Sequence, residues 1–165
     1  MILRAHALLM LVVAAVLAAA VVSAPRAAGG APPSASGTCT ADTTKALVHA
    51  FVRGYARGEV KVINRMWAPA PRFRWFSTGR PGARAGEDAR NRATLATYFR
   101  ARVRAGERLR LTVLGAGYDP ARRIVNFGGK LVRSAKDIRR PRGPQDFKGA
   151  ADCRSGRPLL IVWSM

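Results

Sequence analysis

The stretch from Asp42 to Arg57, DTTKALVHAFVRGYAR, decides how the rest of the chain is interpreted. Its apolar residues recur three and four positions apart, which predicts an amphipathic helix with one buried face. Thr40 and Asp42 both suit the N-cap position, and Gly58 suits the C-terminal end. Such a helix needs a second layer to cover its apolar face, and the rest of the chain has to supply it.

A long hairpin in the second half of the sequence is the best candidate for that layer. Residues 107–117, ERLRLTVLGAG, alternate apolar and basic side chains, as a strand with one buried face does. Residues 124–136, IVNFGGKLVRSAK, form the predicted partner strand. Gly128 and Gly129 stand where a bulge or a sharp bend would curve the sheet.

Further elements fill the chain between and after these. The last segment, LLIVWSM, is apolar enough for a central strand that is buried on both faces. A Gly- and Arg-rich loop at 79–91, expected to be the most mobile segment, and a basic loop at 138–146 connect the elements. The other predicted elements are helices at 59–68 and 90–104 and strands at 72–78, 147–154 and 159–165.

The first 24 residues have the composition of a secretory signal peptide. Arg4 and His6 precede the apolar block ALLMLVVAAVLAAAVV, and small or aliphatic residues lead up to a predicted cleavage site after Ala24. Cleavage there predicts a secreted or cell-envelope protein. A retained membrane anchor is the alternative, because the apolar run approaches the length that spans a bilayer.

Residues 25–38 predict a spacer between the signal peptide and the domain. They are mainly Pro, Gly, Ala and Ser without an apolar period, a composition typical of disorder. Residues 39–165 then form one domain of ordinary size.

The formal net charge of +20 restricts the class of partner. A basic protein suits nucleic acid, anionic lipid or an acidic envelope polymer. However, the basic residues are spread over every segment, and Arg far outnumbers Lys, as high-GC genomes also produce. The sequence has no compact basic block with interleaved aromatic residues, which argues against nucleic acid.

The two cysteines, Cys39 and Cys153, both lie in the part predicted to be exported. An even count in an oxidising compartment predicts one disulfide bond. A metal site is not expected, because His49 is the only histidine that remains after cleavage. No motif in the sequence predicts a cofactor.

The order of elements resembles the nuclear transport factor 2-like fold, also called the SnoaL-like or cystatin-like cone. The resemblance covers nearly the whole mature domain and is closest to an uncharacterised exported branch of actinobacteria. It implies an α+β fold in which a curved, mostly antiparallel sheet wraps around the N-terminal helices. The segments that carry it are AFVRGYARGEVKVINRMWAP at 50–69, RFRWFS at 72–77, ATLATYFRARVRAGERLRL at 93–111, NFGGKLVRSA at 126–135, KGAADC at 148–153 and LLIVWSM at 159–165.

The resemblance also implies an apolar cone that binds small ligands. Enzymes of this fold, such as steroid isomerases, polyketide cyclases and dehydratases, place a carboxylate inside the cone, sometimes with Tyr or His. In this sequence the nine acids fall nearly all at predicted helix ends, turns or loops, where capping and solvation explain them. No catalytic residue is therefore assigned. The candidate pocket residues are His49, Tyr55, Trp67, Trp75, Tyr98, Phe127, Arg133 and Trp163.

The function favoured by these patterns is that of a secreted, non-catalytic ligand-binding or scaffold domain at the cell envelope. Its expected partners are a small apolar ligand, an anionic envelope polymer or lipid, or a second copy of the chain. The alternative is an isomerase, cyclase or hydrolase of a small apolar substrate, with Tyr55, Tyr98 or His49 moving the proton. An open cone with His49 or Asp152 inside would favour the enzyme, and a cone filled by tryptophans would favour the binding or scaffold role.

We expect residues 25–38 to be removable, because they lack an apolar face that could pack on the domain. A chain that begins at Thr38, and so keeps Cys39, should melt at the same temperature as one that begins at Pro25. Thermal unfolding of the two chains tests this expectation. A large loss in the shorter chain would show that the spacer packs on the domain.

Overall fold

The computed structural model describes residues 38–79, 86–138 and 143–165. The predicted signal peptide, nearly all of the spacer and the middle of both predicted loops lie outside the described residues. Among the described residues no helix has the length and apolar composition needed to cross a bilayer. The elements are α1 (Ala41–Arg57), α2 (Val60–Arg65), β1 (Trp75–Ser77), α3 (Arg92–Arg104), β2 (Arg108–Asp119), β3 (Ile124–Ser134), β4 (Gln145–Asp152) and β5 (Leu159–Ser164).

The five strands form one sheet in the order β1-β5-β4-β3-β2. Strands β2 to β5 run antiparallel as a meander, and only β1 is parallel to its neighbour β5. Since β5 lies between β1 and β4, it is buried on both faces, as its apolar sequence predicted. The predicted α+β class and the mostly antiparallel sheet are therefore confirmed.

Two bulges interrupt the ladders of the sheet, one on β2 and one on β5, where Ile161 is an extra residue between Leu160 and Val162. The pairing of β2 with β3 shifts between Leu111 and Val113, so Thr112 is an extra residue in its strand. The prediction placed a bulge or bend at Gly128 and Gly129, and as a bulge it was wrong by one strand. Gly129 has a supporting role, because a Cβ atom there would overlap the backbone carbonyl of Val113.

Helix α1 begins and ends at capping residues that its sequence predicts. The N-cap is Thr40, whose side chain accepts a hydrogen bond from Thr43 N while Thr40 N donates to Thr43 Oγ1. Asp42, the other candidate, lies in the first turn and pairs with Lys45 at 3.0 Å. Gly58 ends the helix with φ of 73°, a left-handed conformation that favours glycine.

The predicted disulfide joins Cys39 and Cys153, whose Cα atoms lie 5.4 Å apart. Cys39 precedes the N-cap of α1, and Cys153 directly follows β4. The bond therefore ties the start of the first helix to the middle of the sheet.

Reduction of this disulfide should lower the free energy of unfolding by about 2 to 5 kcal/mol without changing the fold. The bond closes a loop across a sequence separation of 114 residues, and its main effect is to restrict the unfolded chain. Urea titrations of the oxidised protein and of the Cys39→Ser/Cys153→Ser double variant measure the loss. Two free thiols in the purified, unreduced protein would contradict the pairing.

Candidate functional site

The inner face of the sheet and the helices enclose a layer of aromatic rings. The ring of Phe51 lies 5.9 Å from Trp67 and 5.2 Å from Trp163, measured between centroids. Trp163 in turn stacks on Phe147 at 4.9 Å. These contacts fill the space that a ligand would occupy in an open cone. The rings of this interior are Phe51, Tyr55, Trp67, Phe76, Phe99, Phe127, Phe147 and Trp163.

Three buried donors of this interior have no hydrogen-bond partner. They are the hydroxyl of Tyr55 and the indole nitrogens of Trp67 and Trp163, all on residues with no exposed surface. A buried polar group without a partner costs about 1 to 3 kcal/mol. Packing of the rings therefore stabilises the interior, and these three unpaired polar groups lower its stability.

A buried carboxylate, Glu107, lies beside the aromatic layer. It has no exposed surface, and it accepts three hydrogen bonds from two guanidinium groups. Arg133 donates from Nε to Oε1 at 2.7 Å and from Nη2 to Oε2 at 3.0 Å. The third donor is Arg102 Nε, which also binds Oε2. A charge buried in this way is stable only while its partners remain in place.

Both arginines continue the network beyond Glu107. Arg133 Nη2 also donates to the hydroxyl of Tyr98 at 3.1 Å. Arg102 binds Asp137 through both terminal nitrogens, at 2.6 and 2.8 Å. The two carboxylates and the two guanidinium groups balance in charge, so the cluster is neutral as a whole.

The ionisation of these groups follows from their surroundings. Burial raises the pKa of the Tyr55 hydroxyl well above its usual range, and it does the same for Tyr98, where Arg133 acts in the opposite direction. The hydrogen bonds from Arg102 lower the pKa of Asp137 to about 2. Both tyrosines are therefore neutral and Asp137 is charged at physiological pH.

Six of the eight predicted pocket residues do come together in or beside the cone. Tyr98 and Arg133 join the Glu107 cluster, and the other four lie in the aromatic layer: Tyr55, Trp67, Phe127 and Trp163. His49 is exposed on α1, and Trp75 is half-buried at the start of β1, outside the aromatic layer.

Asp152, the other acid considered for the cone, lies outside it. Its side chain is 1% exposed and receives a hydrogen bond from Arg72 at 2.8 Å, and Arg154 Nε lies 3.0 Å from its other oxygen. Its neighbour Ala151 belongs to the inner cluster, so Asp152 faces the other side of β4. Neither His49 nor Asp152 points into the cone.

Comparison with known proteins finds similar solved structures but no matching sequence. No protein-family model and no curated protein sequence matches the chain. A protein with a cystatin-like fold from Caulobacter vibrioides has a TM-score of 0.59 at 14% identity, over 74% of this chain and 85% of that one. A nuclear transport factor 2-like protein from Novosphingobium aromaticivorans gives 0.55 at 11%, over 74% and 78%.

The chain has the nuclear transport factor 2-like fold. A third similar structure is a putative calcium/calmodulin-dependent protein kinase II association domain from Xanthomonas campestris, with a TM-score of 0.53 at 16% identity, over 73% of this chain and 82% of that one. Identities this low show the fold and no more.

Glu107 is one of the residues that the sequence analysis assigned wrongly. Its position near a helix end suggested capping or solvation, whereas it is fully buried. The missed signal lies on β3, where Phe127, Leu131 and Arg133 are an even number of positions apart and so share the inner face. An arginine on the inner face needs a buried acid, and Glu107 is next to β2, the neighbour of β3.

A separate groove of about 520 Å³ runs along the outer side of α3. Tyr98, which also contacts the rings of Phe76 and Phe99, forms part of its wall. Among the described residues, no group of three or more histidine, cysteine or acidic side chains is arranged to hold a metal ion. The residues that line the groove are Glu87, Asp88, Ala93, Thr94, Thr97, Tyr98 and Ala101.

Replacing Glu107 with leucine should lower the free energy of unfolding by about 3 to 5 kcal/mol, because it leaves two largely buried guanidinium groups without their shared acceptor. Asp137→Asn is the matched control. It removes a carboxylate from the same network at a site where the side chain is 56% exposed, and its effect should be small. Urea unfolding measures both, and equal losses would contradict the central role of Glu107.

Proposed function

We propose that this chain is a secreted, non-catalytic binding or scaffold domain of the nuclear transport factor 2-like fold that acts at the cell envelope. Its aromatic interior serves stability, and its outer surface meets the partner. The observation that carries this proposal is the filled interior, in which the ring of Phe51 contacts both Trp67 and Trp163 and all three residues have no exposed surface.

The Glu107 cluster supports a structural role over a catalytic one. A general base needs a free lone pair directed at its substrate, and the oxygens of Glu107 are held by three N–H donors. Tyr55 and Tyr98 stay neutral because burial raises their pKa. An isomerase or cyclase would have to break this network before it could move a proton.

Two observations support the proposal, one for the location of the protein and one for a role in assembly. The predicted signal peptide would send the chain across the cytoplasmic membrane, where conditions favour disulfides, and the two cysteines are bonded. The similarity to a putative association domain from Xanthomonas campestris agrees with a role in assembly, including a homodimer. Sequencing the N-terminus of the protein isolated from the medium tests export, with Pro25 expected as the first residue.

Benzene binding tests whether the interior is closed. The unaltered protein should melt at the same temperature with and without benzene, because its rings leave no space for another. The matched variant is Phe127→Ala, which removes a ring 5.8 Å from Trp163 and should cost about 3 to 5 kcal/mol. Benzene should raise the melting temperature of this variant, since a ligand that binds only the folded state stabilises it.

Two outcomes would contradict the proposal. One is stabilisation of the unaltered protein by benzene or by a larger apolar compound such as a steroid. The other is turnover of such a compound that disappears in Tyr55→Phe, a substitution that our proposal expects to be harmless because it removes a buried hydroxyl without a partner.

A further inference from the structure

The outer face of strands β2, β3 and β4 carries a row of basic side chains. On β2, Leu109 is buried in the core, so Arg108 and Arg110 on either side of it point outward, and both are exposed. On β3 and β4, Lys130 and Lys148 are exposed and alternate with Phe127, Leu131 and Phe147 of the inner cluster. We call Arg108, Arg110, Lys130 and Lys148 the basic face.

The positive charge of the basic face is not balanced by its acids. Each acid on the outer side of these strands already has a basic partner: Asp146 with Lys130, Asp119 with Arg122, and Asp152 with Arg72. Arg108, Arg110 and Lys148 form no ion pair with any acid of the described residues. The face therefore carries an excess of three positive charges.

The surface between these side chains is low and open. Gly115 pairs with Gly128, and Gly117 follows two positions later on the same strand, so three glycines occupy the middle of the face. A Cβ atom on Gly117 would meet no other atom within 4 Å, and one on Gly115 only a carbonyl oxygen at 3.8 Å. A chain lying across the sheet could approach the backbone here while the longer basic side chains reach its charged groups.

We propose that the basic face binds a flexible polyanion that carries phosphate or sulfate groups. This inference deepens the proposed function by naming the class of partner that the outer surface meets. Arginine presents two parallel N–H donors that match the oxygens of phosphate and sulfate. Arg108 and Arg110 are two positions apart on one strand, about 7 Å, so successive groups of one polymer chain engage both.

The shape of the face favours a flexible polymer over a membrane or duplex DNA. The face is the outer, convex side of a curved sheet, which touches a plane or a rigid rod over a small area, whereas a flexible chain follows the curve. Single-stranded nucleic acid is bound mainly by stacking on aromatic side chains. The large apolar side chains exposed in the described part of the chain are Val113 and Tyr118, which do not form a row of aromatic residues.

Titration of the mature protein with long-chain inorganic polyphosphate at several salt concentrations tests the proposal. The affinity should fall steeply as salt rises, because binding releases counterions from the polymer. The double variant Arg108→Gln/Arg110→Gln should bind at least about tenfold more weakly at low salt. It should also make the negative slope of log K against log salt shallower by about 1.4, or about 0.7 for each lost contact with a single-stranded polyanion.

Two further variants separate the basic face from the overall charge. Arg53→Gln/Arg65→Gln removes two exposed arginines from α1 and α2 on the helical side and should leave binding nearly unchanged. Asp146→Asn frees Lys130 from its acid partner and should strengthen binding, a gain that damage to the fold cannot produce.

Three results would overturn the inference. They are equal losses in the two arginine double variants, binding insensitive to salt, and binding to phosphatidylglycerol vesicles or duplex DNA as tight as to polyphosphate. None of these results bears on the packed interior, which the benzene experiment tests separately. A failure of the basic face is therefore distinguishable from a failure of the proposed function.

Discussion

The buried carboxylate of Glu107 is the interaction on which the arrangement of the other elements depends. It joins three parts of the chain, because Arg102 belongs to the last turn of α3, Glu107 precedes β2, and Arg133 lies near the end of β3. Neither arginine could remain largely buried without an acid between them. The network thereby fixes the angle at which α3 meets the hairpin, and it holds Tyr98 at the edge of the aromatic layer.

The aromatic layer and the Glu107 network divide the interior between them. The rings supply buried apolar surface. The network supplies directional hydrogen bonds and ion pairs, which a purely apolar interior lacks. Together they occupy the space between the helices and the inner face of the sheet. The outer face of the sheet differs in character, with glycines in its middle and unpaired basic side chains around them.

Sequence patterns predicted the parts of this structure that depend on local periodicity. The helical period around Phe51, the alternation in β2 and the apolar run of β5 each identified an element and its buried face. The cysteine pair followed from their number and from the predicted export. The patterns failed where distant residues meet. Glu107 was taken for a solvated acid because its burial depends on Arg133, 26 positions away, and the bulge at Thr112 was placed on the partner strand because glycine alone carried the signal.

The position of the disulfide determines where a mechanical load enters the domain. Cys39 directly precedes the N-cap of α1, and its sulfur is bonded to a cysteine that directly follows a strand in the middle of the sheet. A pull on the chain before Cys39 passes through a covalent bond into β4 and its hydrogen-bonded neighbours β3 and β5, without unwinding α1. The hydrogen bonds that join β4 to β3 and β5 therefore share that load, and the first helix does not carry it.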